Sequence, residues 1–204
     1  MGIWRGMVVA QLGVAVLVSH GGSNFRALHE ASLVPGAGFA VSFAVSNNSG
    51  SQALAYARER GIPSRHLSSR THGSVDELDA VLLGELTDRG VGLVVTAGYM
   101  KKVGPRTLAA YEGRIINVHP SLLPRHGGQG MYGMAVHEAV LASGDQVTGP
   151  SVHHVTAEYD TGPVIARQEV PVLPDDTAES LAARVLAAEH RLLPEVVARI
   201  ARGD

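Results

Sequence analysis

Apolar residues along the chain fall into blocks of two kinds. GVAVLVS (13–19), FAVSFAVS (39–46) and VGLVVTAG (91–98) are nearly unbroken runs of valine, alanine, leucine and phenylalanine bounded by glycine or polar residues. Runs of that length predict strands buried on both faces. Between them the apolar spacing widens to three and four. SQALAYARER (51–60) ends at Gly61 and Pro63, and 74–89 carries Leu78, Val81, Leu82 and Leu86 on one stripe, so both predict helices. A helix beginning over 24–30, a short one over 105–111 and a fourth strand over 114–118 continue the alternation.

Beyond residue 125 the texture changes. RHGGQGMYG (125–133) predicts a glycine-rich loop, and 134–143 a helix. The stretch 149–172 reads as two strands joined by a turn at Asp160-Thr161-Gly162, and 178–201 as a long closing helix. Strands alternating with helices predict an α/β fold: a Rossmann-like, open, mostly parallel twisted sheet with helices on both faces and a small C-terminal antiparallel extension. Residues 13–204 read as one domain and 1–12 as a leader of unknown role. The apolar stretch 7–18 is interrupted by Gln11, lacks a small-x-small cleavage site and is shorter than the roughly 20 residues that span a bilayer.

Composition narrows the function. A hydrophobic content of 45% supports a packed core, and aromatic residues at 4% argue against base-stacking platforms. A net charge of −2 offers no broad basic surface for nucleic acid, and no span suits a membrane. Cysteine is absent, which excludes disulfides, thiol catalysis and cysteine-bound zinc and fits a cytoplasmic setting. Monomer and homodimer both stay open.

Three stretches carry candidate chemistry. SHGGSN (19–24) follows the first strand and opens a helix; such a turn exposes backbone N–H groups, and the helix dipole adds positive potential. Gly21 and Gly22 let the backbone approach an anion closely, and Ser23 and Asn24 offer a hydroxyl and an amide, so the turn suits a phosphate, the alternative being a tight turn with Ser23 as N-cap. It is neither G-x-G-x-x-G nor a Walker A sequence. NVHPSLLP (117–124) puts Asn117 and His119 on one face at a strand's carboxyl end, where Pro120 stops the strand. Open parallel sheets bind ligands there, and a carboxamide and a protonated imidazole can both donate to one developing oxyanion. Satisfaction of loop backbone is the alternative. Asp160, in a turn before Gly162-Pro163, can reach a neighbouring strand's histidine or simply close an Asx turn.

Five histidines (119, 126, 137, 153, 154) raise the question of a metal. They show no H-E-x-x-H or regular His-x-His spacing, and adjacent histidines on a strand face opposite ways, so no metal is expected. No G-x-S-x-G elbow for a serine hydrolase occurs either.

Taken together, SHGGSN, AVSN (44–47), AGYM (97–100), NVHPSLLP, SVHHVTAEYDTGPVI (151–165) and ARVLAAEH (183–190) resemble the phosphoribosylglycinamide formyltransferases (glycinamide ribonucleotide transformylases) over the chain from about Val14 onward. The resemblance implies formyl transfer from 10-formyltetrahydrofolate to the amine of glycinamide ribonucleotide in purine biosynthesis. It implies Asn117 and His119 as oxyanion donors, His119 also as proton donor, and Asp160 as the group that keeps His119 protonated and orders a water. It assigns Gly22, Ser23 and Asn24 to the ribonucleotide phosphate and Glu189 to its ribose. Folate falls to Met100, Lys101, Lys102 and Val103, read largely through the backbone, with Asn117 and the 156–160 loop.

The chain departs from that pattern in places. His20 stands where glycine is usual, Lys101 where arginine is common, and the loop after NVHPSLLP is extended. The arginine expected near residue 74 for the folate tail is missing, with Arg70 nearby as a substitute. The rival readings are a 10-formyltetrahydrofolate deformylase and a non-catalytic phospho-ligand module. The first is expected to need an N-terminal regulatory domain; the second leaves Asn117, His119 and Asp160 unexplained.

Overall fold

Strand β1 (Leu12–Val18) lies between β2 (Phe39–Ser46) and β4 (Leu93–Thr96) and is parallel to both. With β3 (Ser64–His66), β5 (Ile115–His119), β7 (Ser151–His154) and β8 (Val164–Arg167) these form a seven-stranded sheet of order β3-β2-β1-β4-β5-β7-β8. The computed structural model describes residues 11–204. The leader expected at 1–12 therefore lies mostly outside the described residues.

The first five strands are parallel; β7 pairs antiparallel with β5, and β8 antiparallel with β7. The chain winds from β1 outward through β2 to β3, then crosses back to β4 and β5. β1 and β4 are thus neighbours whose connections leave in opposite directions, which opens a crevice at their carboxyl ends.

The continuous apolar runs are buried on both faces. Val14, Val16 and Val18 of β1 pack with α1 (Ser23–Ser32), α2 (Gln52–Glu59) and the C-terminal half of α6 (Ala178–Arg202). Ala15 and Leu17 face the other way, toward Leu82 and Leu86 of α3 (Val75–Asp88) and Tyr111 beside α4 (Pro105–Ala110). A third cluster joins α5 (Met134–Ser143) to α6 through Val140, Leu181 and Val185.

The structure refines the expected elements. β3 is a short, mostly polar Ser-Arg-His segment without an apolar run; it is a strand because its backbone pairs with Ala44, Val45 and Ser46. The stretch 149–172 does more than form two strands: β7 and β8 prolong the main sheet, while β6 (Val147–Thr148) and β9 (Val170–Pro171) pair separately. The fourth strand runs on to His119, so both Asn117 and His119 are strand residues.

Candidate active site

The carboxyl ends of β1, β4 and β5 open into a cleft of about 1090 Å³, closed on its far side by the 156–160 loop and α6. At the end of β1 the chain turns through Gly22, which has φ 74° and caps α1 with no side-chain hydrogen bond. The N-cap reading of Ser23 is therefore corrected: Ser23 is the first helical residue, and the cap is a left-handed glycine. A Cβ at Gly22 would lie 2.8 Å from the Ala53 Cβ, so the turn fits tightly against α2. His20, Gly21, Gly22, Ser23 and Asn24 line the cleft where the amino end of α1 meets it.

Asn24 and Glu189 meet across the cleft wall. Asn24 Nδ2 donates to Glu189 Oε2 at 2.6 Å, while Asn24 Oδ1 is buried with no partner among the described residues. Glu189 is 7% exposed, and burial pushes its carboxyl up to about 7, with the Asn24 hydrogen bond pulling the other way.

Three strands build the centre. Thr96 on β4, Asn117 on β5 and His153 on β7 are register partners, so their side chains form a row on one face. Thr96 Oγ1 donates to Asn117 Oδ1 at 2.9 Å, and Asn117 Nδ2 lies 3.0 Å from His153 Nε2. His153 Nδ1 is 2.9 Å from the His154 carbonyl, an acceptor only, so that nitrogen carries the hydrogen and Nε2 receives the one from Asn117. The amide of Asn117 is therefore held in one orientation, with its second N–H unused by this row.

His119, 4% exposed, sits one pleat further on. Its Nε2 donates to the His126 carbonyl at 2.8 Å, and its Nδ1 faces Asp160 Oδ2 at 3.5 Å. Asp160 Oδ1 lies 3.4 Å from His153 Nε2, and the Gly128 N–H donates to Asp160 Oδ2 at 2.9 Å. Burial lowers the pKa of His119, opposed by the Asp160 carboxylate and the His126 carbonyl. Burial also pushes the Asp160 carboxyl up, but His119 and the Gly128 N–H act against it, and the group is held below its usual range. The result is an imidazole whose proton is held by a carboxylate and loosened by burial, a poised donor.

The loop after β4 is tied to the end of β1. Ser19 Oγ donates to Asn47 Oδ1 at 2.6 Å and accepts from the Met100 N–H at 2.7 Å, joining three of the motifs noted in the sequence. Met100, Lys101, Lys102 and Val103 all border the cleft, although the Val103 side chain is buried in the core behind it. Lys102 Nζ pairs with Glu158 Oε2 at 3.3 Å and lies over the Tyr159 ring, which links this loop to the 156–160 segment.

A formyl transferase family model matches residues 12–197. The chain belongs to the formyl transferase family. It is 44% identical to a chloroplastic phosphoribosylglycinamide formyltransferase of Vigna unguiculata over 94% of its own length and 61% of that relative's. For the Arabidopsis thaliana counterpart the chain spans 64% of the relative. It thus spans less than two thirds of these plant proteins. Against the Escherichia coli phosphoribosylglycinamide formyltransferase it is 35% identical, covering 94% of this chain and 88% of that one. Among solved structures, glycinamide ribonucleotide transformylase 1 of Symbiobacterium toebii superposes with a TM-score of 0.88 at 36% identity, covering 95% of this chain and 89% of that one. The Brucella melitensis phosphoribosylglycinamide formyltransferase gives 0.87 at 37%, covering 96% and 98%.

Apart from Arg70, the residues singled out from the sequence as candidates for this site lie along one cleft, and Asn117, His119 and Asp160 converge at its centre. Arg70 is not among the residues that border it. Sequence reasoning missed Thr96, the orienting role of His153, and His137, a buried α5 side chain that lines the cleft with Nδ1 unpartnered among the described residues. Register identifies the first two, and a strand pattern alone does not give register. Among the described residues no cluster of three or more ligating side chains forms a metal site, and no helix is long and apolar enough to cross a membrane.

Proposed function

We propose that this chain transfers the formyl group of 10-formyltetrahydrofolate to the amine of glycinamide ribonucleotide. The observation that carries the reading is the fixed amide of Asn117 beside the poised imidazole of His119, in a cleft that also holds a glycine turn at the amino end of a helix. Family membership and the names of the bacterial and plant relatives support it. The cleft volume of about 1090 Å³ lies just above the roughly 300–1,000 Å³ typical of one drug-sized ligand, which suits two substrates held together.

In this reading the backbone N–H groups at Gly22, Ser23 and Asn24 bind the phosphate. Glu189 and Asn24 take the ribose hydroxyls, for which Glu189 Oε1 and the unpartnered Asn24 Oδ1 supply acceptors. Backbone groups of 100–103 and the 156–160 loop take the pterin. The amine attacks the formyl carbon, and the C–N10 bond breaks after the new C–N bond forms. The carbonyl oxygen, negative in between, receives hydrogen bonds from Asn117 Nδ2 and the His119 imidazolium. The amine's proton is lost and N10 gains one, so the net transfer is of one formyl group against one proton. Asp160 favours the charged form of His119 against the effect of burial and orders the water that carries the proton.

The row Thr96–Asn117–His153 favours transfer over simple ligand binding, because a phosphate module has no use for an oriented amide remote from the phosphate turn. A cytoplasmic setting belongs to the same proposal. The test is direct: incubate the purified chain with both substrates and look for N-formylglycinamide ribonucleotide by mass spectrometry. Its formation supports the proposal. Binding of both substrates without that product refutes it.

A further inference from the structure

His126 and Asp160 are the non-glycine residues with positive φ among those described, at 52° and 56°. That region is costly for a side-chain-bearing residue and persists where its surroundings impose it. Both residues touch the same ring: Asp160 faces His119 Nδ1 through its carboxylate, and His126 accepts from His119 Nε2 through its backbone carbonyl. A glycine would adopt the conformation at 126 without cost. The histidine brings its own restraint instead. Its Nε2 lies 2.7 Å from Asp145 Oδ2, in a contact where both side chains are largely covered. Asp145 directly follows Gly144, the left-handed C-cap of α5, so the end of that helix delivers the carboxylate.

The turn is held from beneath as well. Ser121 Oγ donates to the Arg125 carbonyl at 2.6 Å, and Ser151 Oγ donates to the Ser121 carbonyl at 2.7 Å. Arg125 also reaches Asp145, but its side chain is mostly exposed and that pair contributes little.

We propose that Asp145 and His126 are positioning residues for formyl transfer: Asp145 fixes the His126 side chain, and His126 thereby holds its carbonyl against His119 Nε2. The inference rests on His119 being the proton donor of the proposed reaction. With Nε2–H bound to a fixed carbonyl, Nε2 keeps its hydrogen, and Nδ1, facing Asp160 across a contact too long for a good hydrogen bond, is the nitrogen that releases and regains the proton. Asp145 acts on the catalytic ring through backbone position, without a proton passing between them. The titratable and charged groups facing His119 are Asp160, His153 on β7, His137 on α5 and His126 itself; those facing His126 are Asp145 and His119.

The test uses the full chain and the variants Asp145→Asn, His126→Ala and His126→Gln. Loss of the restraint is expected to lower kcat about tenfold in Asp145→Asn and His126→Ala, with both KM values within about twofold. The pH limb on which protonated His119 is lost should move to lower pH, because the carbonyl that favours the imidazolium is no longer held in place. His126→Gln carries an amide N–H out to about the position of the histidine Nε2 and can still donate to Asp145, so it should keep kcat within about threefold of wild type. In parallel, ¹⁵N NMR of the His119 ring reads the tautomer without any turnover: Nε2–H in wild type, a mixture in Asp145→Asn. Variants whose kcat, pH limb and ring tautomer all match wild type while only Tm falls overturn the proposal. A wild-type chain that makes no N-formyl product refutes the transferase reading alone, and the tautomer comparison then decides the clamp.

Discussion

Asn117 and His153 stand opposite each other across β5 and β7, and the amide of one donates to the ring of the other at 3.0 Å. With Thr96 on the other flank, this fixes which end of the Asn117 amide presents N–H groups to the cleft. Removing one oxyanion donor typically costs about 10²–10³ in rate. Asn117→Ala should therefore lose kcat on that scale with little change in either KM. Thr96→Val keeps the shape but frees the amide to flip, and a smaller loss of about tenfold is expected. Steady-state kinetics on both variants checks the pair; near wild-type turnover in Asn117→Ala removes its assigned role.

Asp160 sets the charge on His119. Burial lowers the imidazole pKa and the carboxylate raises it, so Asp160→Asn leaves burial and the neighbouring histidines opposed by the His126 carbonyl alone. The protonated fraction of His119 falls at any given pH. The descending limb of the kcat profile should move toward lower pH, with reduced activity near neutrality. A profile unmoved by the substitution contradicts the account.

Glu189 makes a stability prediction. Its carboxyl is raised from 4.5 to about 7, so between those values the folded chain holds a proton that the unfolded chain has released. This contribution is largest below the unfolded value, declines as pH rises through about 7 and then levels, worth up to about 3 kcal/mol. The buried His29, His119 and His137 and the half-buried His190 have lowered pKa values and act in the opposite sense. The comparison is therefore wild type against Glu189→Gln. Urea unfolding from pH about 5 to 8 should show the variant gaining on wild type as pH rises.

Much of this site was visible in the sequence, for physical reasons that differ by residue. The two-residue period of a strand put Asn117 and His119 on one face, and Pro120 marked the strand's end. Asp160 stood in a turn that its Gly-Pro context announced. Thr96 and His153 were hidden because their relation to Asn117 depends on the register of three strands from distant parts of the chain. The same holds for β3, whose Ser-Arg-His sequence becomes a strand only by pairing with β2. Asp145 and His126 meet because a glycine cap ends α5 beside a left-handed turn, which no periodicity reports.

The glycine turn is equally specific. Gly22→Ala meets both a positive φ and the Ala53 Cβ at 2.8 Å. The variant should lose about 1–3 kcal/mol of stability and raise KM for the ribonucleotide more than for the folate. The double variant Gly22→Ala with Ala53→Gly relieves the clash but not the backbone strain, so it should recover only part of each. Thermal unfolding and paired KM values check both.

The most direct test of formyl transfer follows tetrahydrofolate release from 10-formyltetrahydrofolate with and without glycinamide ribonucleotide. Release that depends on the ribonucleotide, with formyl recovered on its amine, is the predicted result. Release at a comparable rate without it, yielding formate, would make the chain a hydrolase and contradict the assignment of Gly22, Ser23, Asn24 and Glu189 to a second substrate.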